Sequence, residues 1–175
     1  FSLLYHIRRV VADLRESKEK VVIFTSFKRM IDVMTNDIQK RFGVYTNFID
    51  GSVEARERQE VVDKFSSYEG PGALILNPKA AGAGLNITCA NHAIHYNLEW
   101  NPAIEDQASA RIYRRGQEKT VFIHRLFYVD TIEEIINEKI QSKRLLSDNA
   151  IIGNNGAIIE QEYLIKALSA SPYKS

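Results

Sequence analysis

Apolar residues recur at helical spacing from Phe1 to Arg15. Leu3, Leu4, Ile7, Val10, Val11 and Leu14 share one side, with Arg8, Arg9, Asp13 and Arg15 opposite. Val21-Val-Ile-Phe24 is short and wholly apolar, the pattern of a strand buried on both faces. Lys28 to Arg41 is amphipathic again through Met30, Ile31, Met34 and Ile38, and Gly43 is placed to stop that helix. A second strand is predicted over Tyr45–Ile49. Asp50-Gly51-Ser52 then turns the chain, with Ser52 as the expected cap of a helix from about Glu54 to Phe65. Gly70-Pro71-Gly72 is a break. Further strands are predicted over Ala73–Leu76, Ala93–Asn97 and Val121–Tyr128, and a helix from Thr131 to about Ser147. Gly153–Gly156 reads as a linker, and Glu160–Leu168 as one more short helix.

Strands and helices alternate, and the strands are mostly apolar. This predicts one doubly wound α/β domain over residues 1–150, with a mainly parallel sheet covered by helices on both faces. Residues 151–175 are expected to form a linker and a helical extension. Ligand sites in such sheets lie at the carboxyl ends of the strands. Thr25-Ser26-Phe27, the loop from Asn77 and the loop from Leu98 all fall there, so they are expected to build one site.

The chemistry concentrates in Gln107-Ala-Ser-Ala-Arg-Ile-Tyr-Arg-Arg-Gly-Gln117. Asn101-Pro102 can open a helix here, Glu105 and Asp106 suit its first turn, and Gly116 can end it. Arg111 and Arg114, three apart, would then share a face, where two planar guanidinium forks suit a polyphosphate. Taken alone, the segment reads as a solvated basic face. Asn77 to Thr88 follows a strand, and its small residues would let backbone N–H groups approach an anion beside Lys79. Taken alone, it is a tight connection to a helix. Glu54–Arg58 and Arg56–Glu60 have the spacing of helical ion pairs, the bland alternative to a phosphate contact at Arg56 or Arg58. Trp100, beside a proline at a strand end, reads first as a packing wedge.

Composition sharpens this by exclusion. A net charge of +1 over 175 residues neither requires nor forbids a nucleic-acid partner. The single Cys89 leaves no internal disulfide framework and fits an intracellular chain. No apolar run reaches the length of a membrane span. There is no Gly-x-x-x-x-Gly-Lys-Ser/Thr phosphate loop, no strand ending in an acidic pair for magnesium, and no metal-ligand spacing among the four histidines. Arginine forks without a phosphate grip describe half of an ATPase. A start at Phe1 rather than Met fits an excised piece of a longer chain.

In order and spacing, these elements resemble the second RecA-like lobe of a superfamily-two helicase, and more closely the Swi/Snf-like ATP-driven double-stranded DNA translocases. The resemblance is carried by Val21 to Phe27, by Asp50-Gly-Ser52 with Arg58, Gln59 and Phe65, and by Lys79 to Asn86. It continues through Asn97 to Pro102, Gln107 to Gln117, and Thr131 to Glu134 with the basic helix through Lys143-Arg144. It implies arginine fingers at Arg111 and Arg114 that reach the γ-phosphate of ATP, with Mg2+ held mainly by a first lobe upstream. It also implies nucleotide contact at Gln107, a coupling loop at Gly84 and Asn86, DNA-backbone contact at Lys79 and Ser26, and a linking role for Trp100. The implied partners are double-stranded DNA and the N-terminal lobe of the same parent chain, in the cytoplasm of a bacterium or the nucleus of a eukaryote. Asn77-Pro78 stands where the family usually has Ser-Thr. Ala81 replaces a glycine, Ala110 an aspartate and Tyr113 a histidine. A non-catalytic scaffold lobe and an RNA helicase are the competing readings, and the chain by itself is expected to be inactive as an ATPase.

Overall fold

The computed structural model describes residues 3–80, 84–99 and 101–148. Helix α1 (Leu3–Ser17) turns Leu3, Ile7, Val11 and Leu14 inward. Strand β1 (Lys20–Phe24) follows, buried along its whole length. Helix α2 (Lys28–Phe42) ends at Gly43, whose left-handed φ of 60° lets its N–H reach the Gln39 carbonyl at 3.0 Å. Then come β2 (Tyr45–Ile49), α3 (Ala55–Ser67), β3 (Gly72–Leu76), β4 (His92–His95), α4 (Pro102–Ser109), β5 (Phe122–Arg125) and α5 (Ile132–Asp148).

The five strands form one parallel sheet in the order β2-β3-β1-β4-β5. Successive side chains of a strand point to opposite faces, so one apolar strand feeds two cores. Val21, Ile23, Ala73, Ile75 and Ile94 pack against α1 and α2. Val22, Phe24, Leu74, Leu76 and Ala93 pack against α3, α4 and the loop before β4. A smaller cluster joins Leu98 to Ile136 and Ile140 of α5. Gly72 stands where a Cβ would come within 2.9 Å of the Phe65 ring. At the same end, the ammonium of Lys20 donates to the carbonyls of Phe65 (2.8 Å) and Ser66 (3.0 Å), satisfying the last turn of α3. Among the described residues β5 pairs only with β4, and its Phe122 and Ile123 stand half exposed.

The alternating α/β reading and all five strands stand, with shorter strands at β4 and β5. Beyond β4, Leu98 leaves the sheet line to reach α5. Larger differences lie at two helix ends. Ser52 does not cap α3. Its hydroxyl and N–H both go to Asp50, and Glu54 precedes the helix without a side-chain cap. Helix α4 stops at Ser109 instead of running to Gly116. Ile112 turns into the core with no exposure, and the Gln117 carboxamide donates to the carbonyls of Thr88, Ala90 and Ile112. These anchors fold residues 110–117 into successive short turns. Residues 151–175, with the expected linker and short helix, lie outside the described residues. Among the described residues no helix is long and apolar enough to cross a membrane.

Candidate functional site

The carboxyl ends of β1 and β4 are tied together by one side chain. The Asn97 carbonyl oxygen accepts from the Thr25 hydroxyl and the Ser26 N–H, each at 3.0 Å. Tyr96 N–H meets Phe24 carbonyl just before it, so Asn97 continues the ladder after the strands end. Beyond it, the Ser26 hydroxyl donates to the Glu99 carboxylate. Glu99 is itself pinned, its N–H donating to Glu105 at 3.1 Å. At the end of β2, Asp50 is buried and lies 3.7 Å from the ammonium of Lys28, the first residue of α2. The Ser52 hydroxyl holds the Asp50 carboxyl below the usual carboxylate range, against the pull of burial.

The two arginines of α3 part company. Arg58 is half buried and donates to the carbonyls of Val53 (2.9 Å) and Ala80 (2.7 Å), clamping the start of α3 to the loop after β3. Arg56 is exposed and pairs with Glu54 at 2.9 Å. The expected Glu54–Arg58 and Arg56–Glu60 pairs do not form. Glu60 pairs instead with Lys64. Lys79 is exposed, and its N–H is received by the Asn77 side chain at 3.0 Å. Ser26, Lys79 and the arginine pair are thus associated with the carboxyl ends of β1, β3 and β2.

Arg111 and Arg114 sit elsewhere. The loop from 77 to 91 must return from the carboxyl end of β3 to the amino end of β4, because the strands are parallel. Among the described residues it does so without a helix, sinking Leu85, Ile87 and Ala90 into the core. The arginine segment is fastened to the far part of that loop. Ile87 N–H donates to Arg111 carbonyl at 2.9 Å. Gly84, with φ of 110°, and Asn86 are exposed just before this junction. Arg111 is half buried and Arg114 exposed, and neither guanidinium has a hydrogen bond or ion pair within the described residues. The shared helical face expected for them is absent, since both follow the end of α4. Gln107 is exposed on α4. The candidates therefore form two groups joined by one loop. Trp100 and Ala81 lie outside the described residues.

Sequence reasoning missed a buried polar network behind α4. Glu105, expected only to favour the helix N-terminus, is 1% exposed. It accepts from Arg125 of β5 at 3.0 Å and lies 3.6 Å from Arg144 of α5. Arg125 also donates to Asn137 at 2.5 Å, and Arg144 to Asp106. A charged residue inside the apolar run Val121–Tyr128 was the available signal. His95 closes the network, stacked on Phe24 with centroids 5.1 Å apart and its Nε2 2.9 Å from the Ser109 hydroxyl. Burial, reinforced by the charges of Arg125 and Arg144, pushes its pKa down to about 4. His95, Glu105, Asp106, Ser109, Tyr113 and Arg125 help line a cavity of about 230 Å³. Among the described residues no group of three or more His, Cys, Asp or Glu could hold a metal ion.

The profile of the helicase conserved C-terminal domain matches residues 3–116. A putative ATP-dependent helicase/translocase, YwqA of Bacillus subtilis (strain 168), is 41% identical over 152 residues, which are 87% of this chain and 16% of that protein. The DNA repair and recombination protein RAD54B of Gallus gallus is 39% identical over 142 residues, 79% of this chain and 15% of that protein. The chain thus spans less than a fifth of the length of these relatives. Among solved structures, the Sulfolobus solfataricus SWI2/SNF2 ATPase core in complex with dsDNA superposes with a TM-score of 0.71 at 31% identity. That match covers 97% of this chain and 36% of the other. The C-terminal part of the Fun30 ATPase domain superposes with a TM-score of 0.73 at 31% identity, over 79% of this chain and 44% of the other.

Proposed function

Because the chain belongs to the helicase conserved C-terminal domain family, as the C-terminal lobe of a Swi2/Snf2-type helicase-like ATPase, we propose that it is the second motor lobe of an ATP-dependent double-stranded DNA translocase. The observation that carries this is the pair Arg111 and Arg114. Both guanidiniums lack protein partners within the described residues, yet their backbone is fixed by Ile112, Gln117 and the Ile87–Arg111 bond. Rigid placement of an unpaired planar cation serves a charge that comes from outside the lobe.

ATP supplies the γ-phosphoryl group that passes to water. In this reading Arg111 and Arg114 stabilise the negative charge that grows on that group, a role worth about 10³–10⁵ in rate. Gln107 lies on the same element, and Gly84 and Asn86 flank the junction through which the loop meets Arg111. In this reading Mg2+ is held mainly by a first lobe of the parent chain. Lys79, Arg56 and Ser26 contact duplex phosphates, positional contacts that suit movement along any sequence. Arg58 has its Nε and Nη1 committed to carbonyls, so its part is to hold the loop that carries Lys79. Such a motor works inside the cell, where its DNA is.

The test is made in the parent chain. Arg114→Ala, and Arg111→Lys which keeps the charge but loses the fork, should each cut turnover by at least about 100-fold while nucleotide affinity changes little. Near-normal turnover in both would refute the finger assignment.

A further inference from the structure

Resting on the DNA-backbone reading above, we infer that Glu99 is an anionic placeholder in the phosphate track, holding the Ser26 hydroxyl when no phosphate is there and yielding it when one arrives. A serine hydroxyl carries one proton to donate. In this structure that proton goes to the Glu99 carboxylate. Ser26 therefore cannot serve Glu99 and a DNA phosphate together, and docking must exchange one acceptor for the other.

The surroundings leave little else that can move. The backbone on the serine side is fixed by Asn97, which takes both Thr25 Oγ1 and Ser26 N–H. On the glutamate side, Leu98 is buried against Ile136 and Ile140, and the Glu99 N–H is held by the buried Glu105. The half-buried Glu99 side chain and the Ser26 hydroxyl are what remain to turn. No cation lies within ion-pair distance of it among the described residues, although Lys28 at the start of α2 and Lys79 after β3 are exposed. An unneutralised carboxylate beside a phosphate track weakens DNA binding by like-charge repulsion.

The arrangement suits a motor that must release what it grips. When a phosphate leaves Ser26, the hydroxyl is not stranded without an acceptor, because the carboxylate returns. The exchange is hydrogen bond for hydrogen bond, so each step starts and ends at similar energy. The same contact sets affinity low. It also links the track to α4, since Glu99 and Glu105 move or stay together through their backbone bond.

The experiment measures binding of the 175-residue chain to a fluorescent mixed-sequence duplex across a salt series, for wild type, Glu99→Gln, Glu99→Ala, Ser26→Ala, Ser26→Ala/Glu99→Gln and Lys79→Ala. Both Glu99 variants should bind about fivefold more tightly at low salt, with the gain shrinking as salt screens the charge. The gain from Glu99→Gln should be smaller in the Ser26→Ala background, because freeing the hydroxyl then contributes nothing. If Lys79→Ala weakens binding but the Glu99 variants bind no better than wild type, the placeholder is refuted while the DNA reading stands. If wild type does not bind and Lys79→Ala is no different, the DNA reading falls and this inference with it.

Discussion

His95 should make the stability of this lobe depend on pH in a window above the one in which Glu19, Asp37 and Asp50 act. Its pKa is displaced from 6.5 to about 4 by burial and by the nearby Arg125 and Arg144. That displacement corresponds to about 3.4 kcal/mol between the protonated and neutral forms. Well above pH 6.5 the ring is neutral in both folded and unfolded chains, and the difference contributes nothing. As pH falls below 6.5, the unfolded chain takes up the proton first, so stability falls. Linkage puts the loss at about 2 kcal/mol by pH 5, levelling off below pH 4. Glu19, Asp37 and Asp50 have pKa values held below the carboxylate range, so their contribution fades only at lower pH. His124 is lowered too, chiefly by burial, and slopes the same way as His95. The perturbation is therefore His95→Gln, which keeps a polar partner for Ser109 but cannot take the proton. Urea unfolding of both proteins between pH 7.5 and 5, followed by circular dichroism, gives the two profiles. The variant should lose about 2 kcal/mol less than wild type over that interval. Parallel profiles would refute the argument, whatever the absolute stabilities.

Two further outcomes probe the packing. Arg125→Ala leaves Glu105, 1% exposed, with the more distant Arg144 at 3.6 Å as its cation beside the Glu99 N–H. It should cost about 3 kcal/mol in the same unfolding assay, the lower end for breaking a buried pair, because one cation remains. Gly72→Ala sets a methyl 2.9 Å from the Phe65 ring between two filled layers. It should destabilise by about 1–3 kcal/mol and lower the thermal midpoint, whereas an unchanged midpoint would mean that α3 can shift freely.

The strands and long helices were legible because their signals are local. Val21–Phe24 is apolar throughout, and the spacing of Ile31, Met34 and Ile38 admits one helical face. The length of α4 was not legible. Capping at Asn101 and an acidic first turn are local and were read, but the helix ends at Ser109 and the turns after it are held by Gln117 on the carbonyls of Thr88 and Ala90, a contact across distant sequence. Glu105 shows the same limit from the other side. Its position in a first turn has a sufficient local explanation, and only the fold reveals Arg125 and Arg144 around it. Among the candidates, Lys79 and Arg114 are exposed, while Arg58 clamps the loop after β3, since its partners are backbone carbonyls that composition does not display.

Among the described residues one side of β5 is unpaired, which has a practical consequence for handling the lobe. A free parallel strand offers a row of N–H and C=O groups to any other extended chain, and here Phe122 and Ile123 are 48% and 51% exposed on it, with Tyr113 elsewhere on the surface at 74%. Lys119 and Glu118 precede the strand, but no charge interrupts Val121 to Ile123. Concentrated samples should therefore self-associate through this border, and Ile123→Lys, outside both apolar cores though lining the His95 cavity, should keep them in solution.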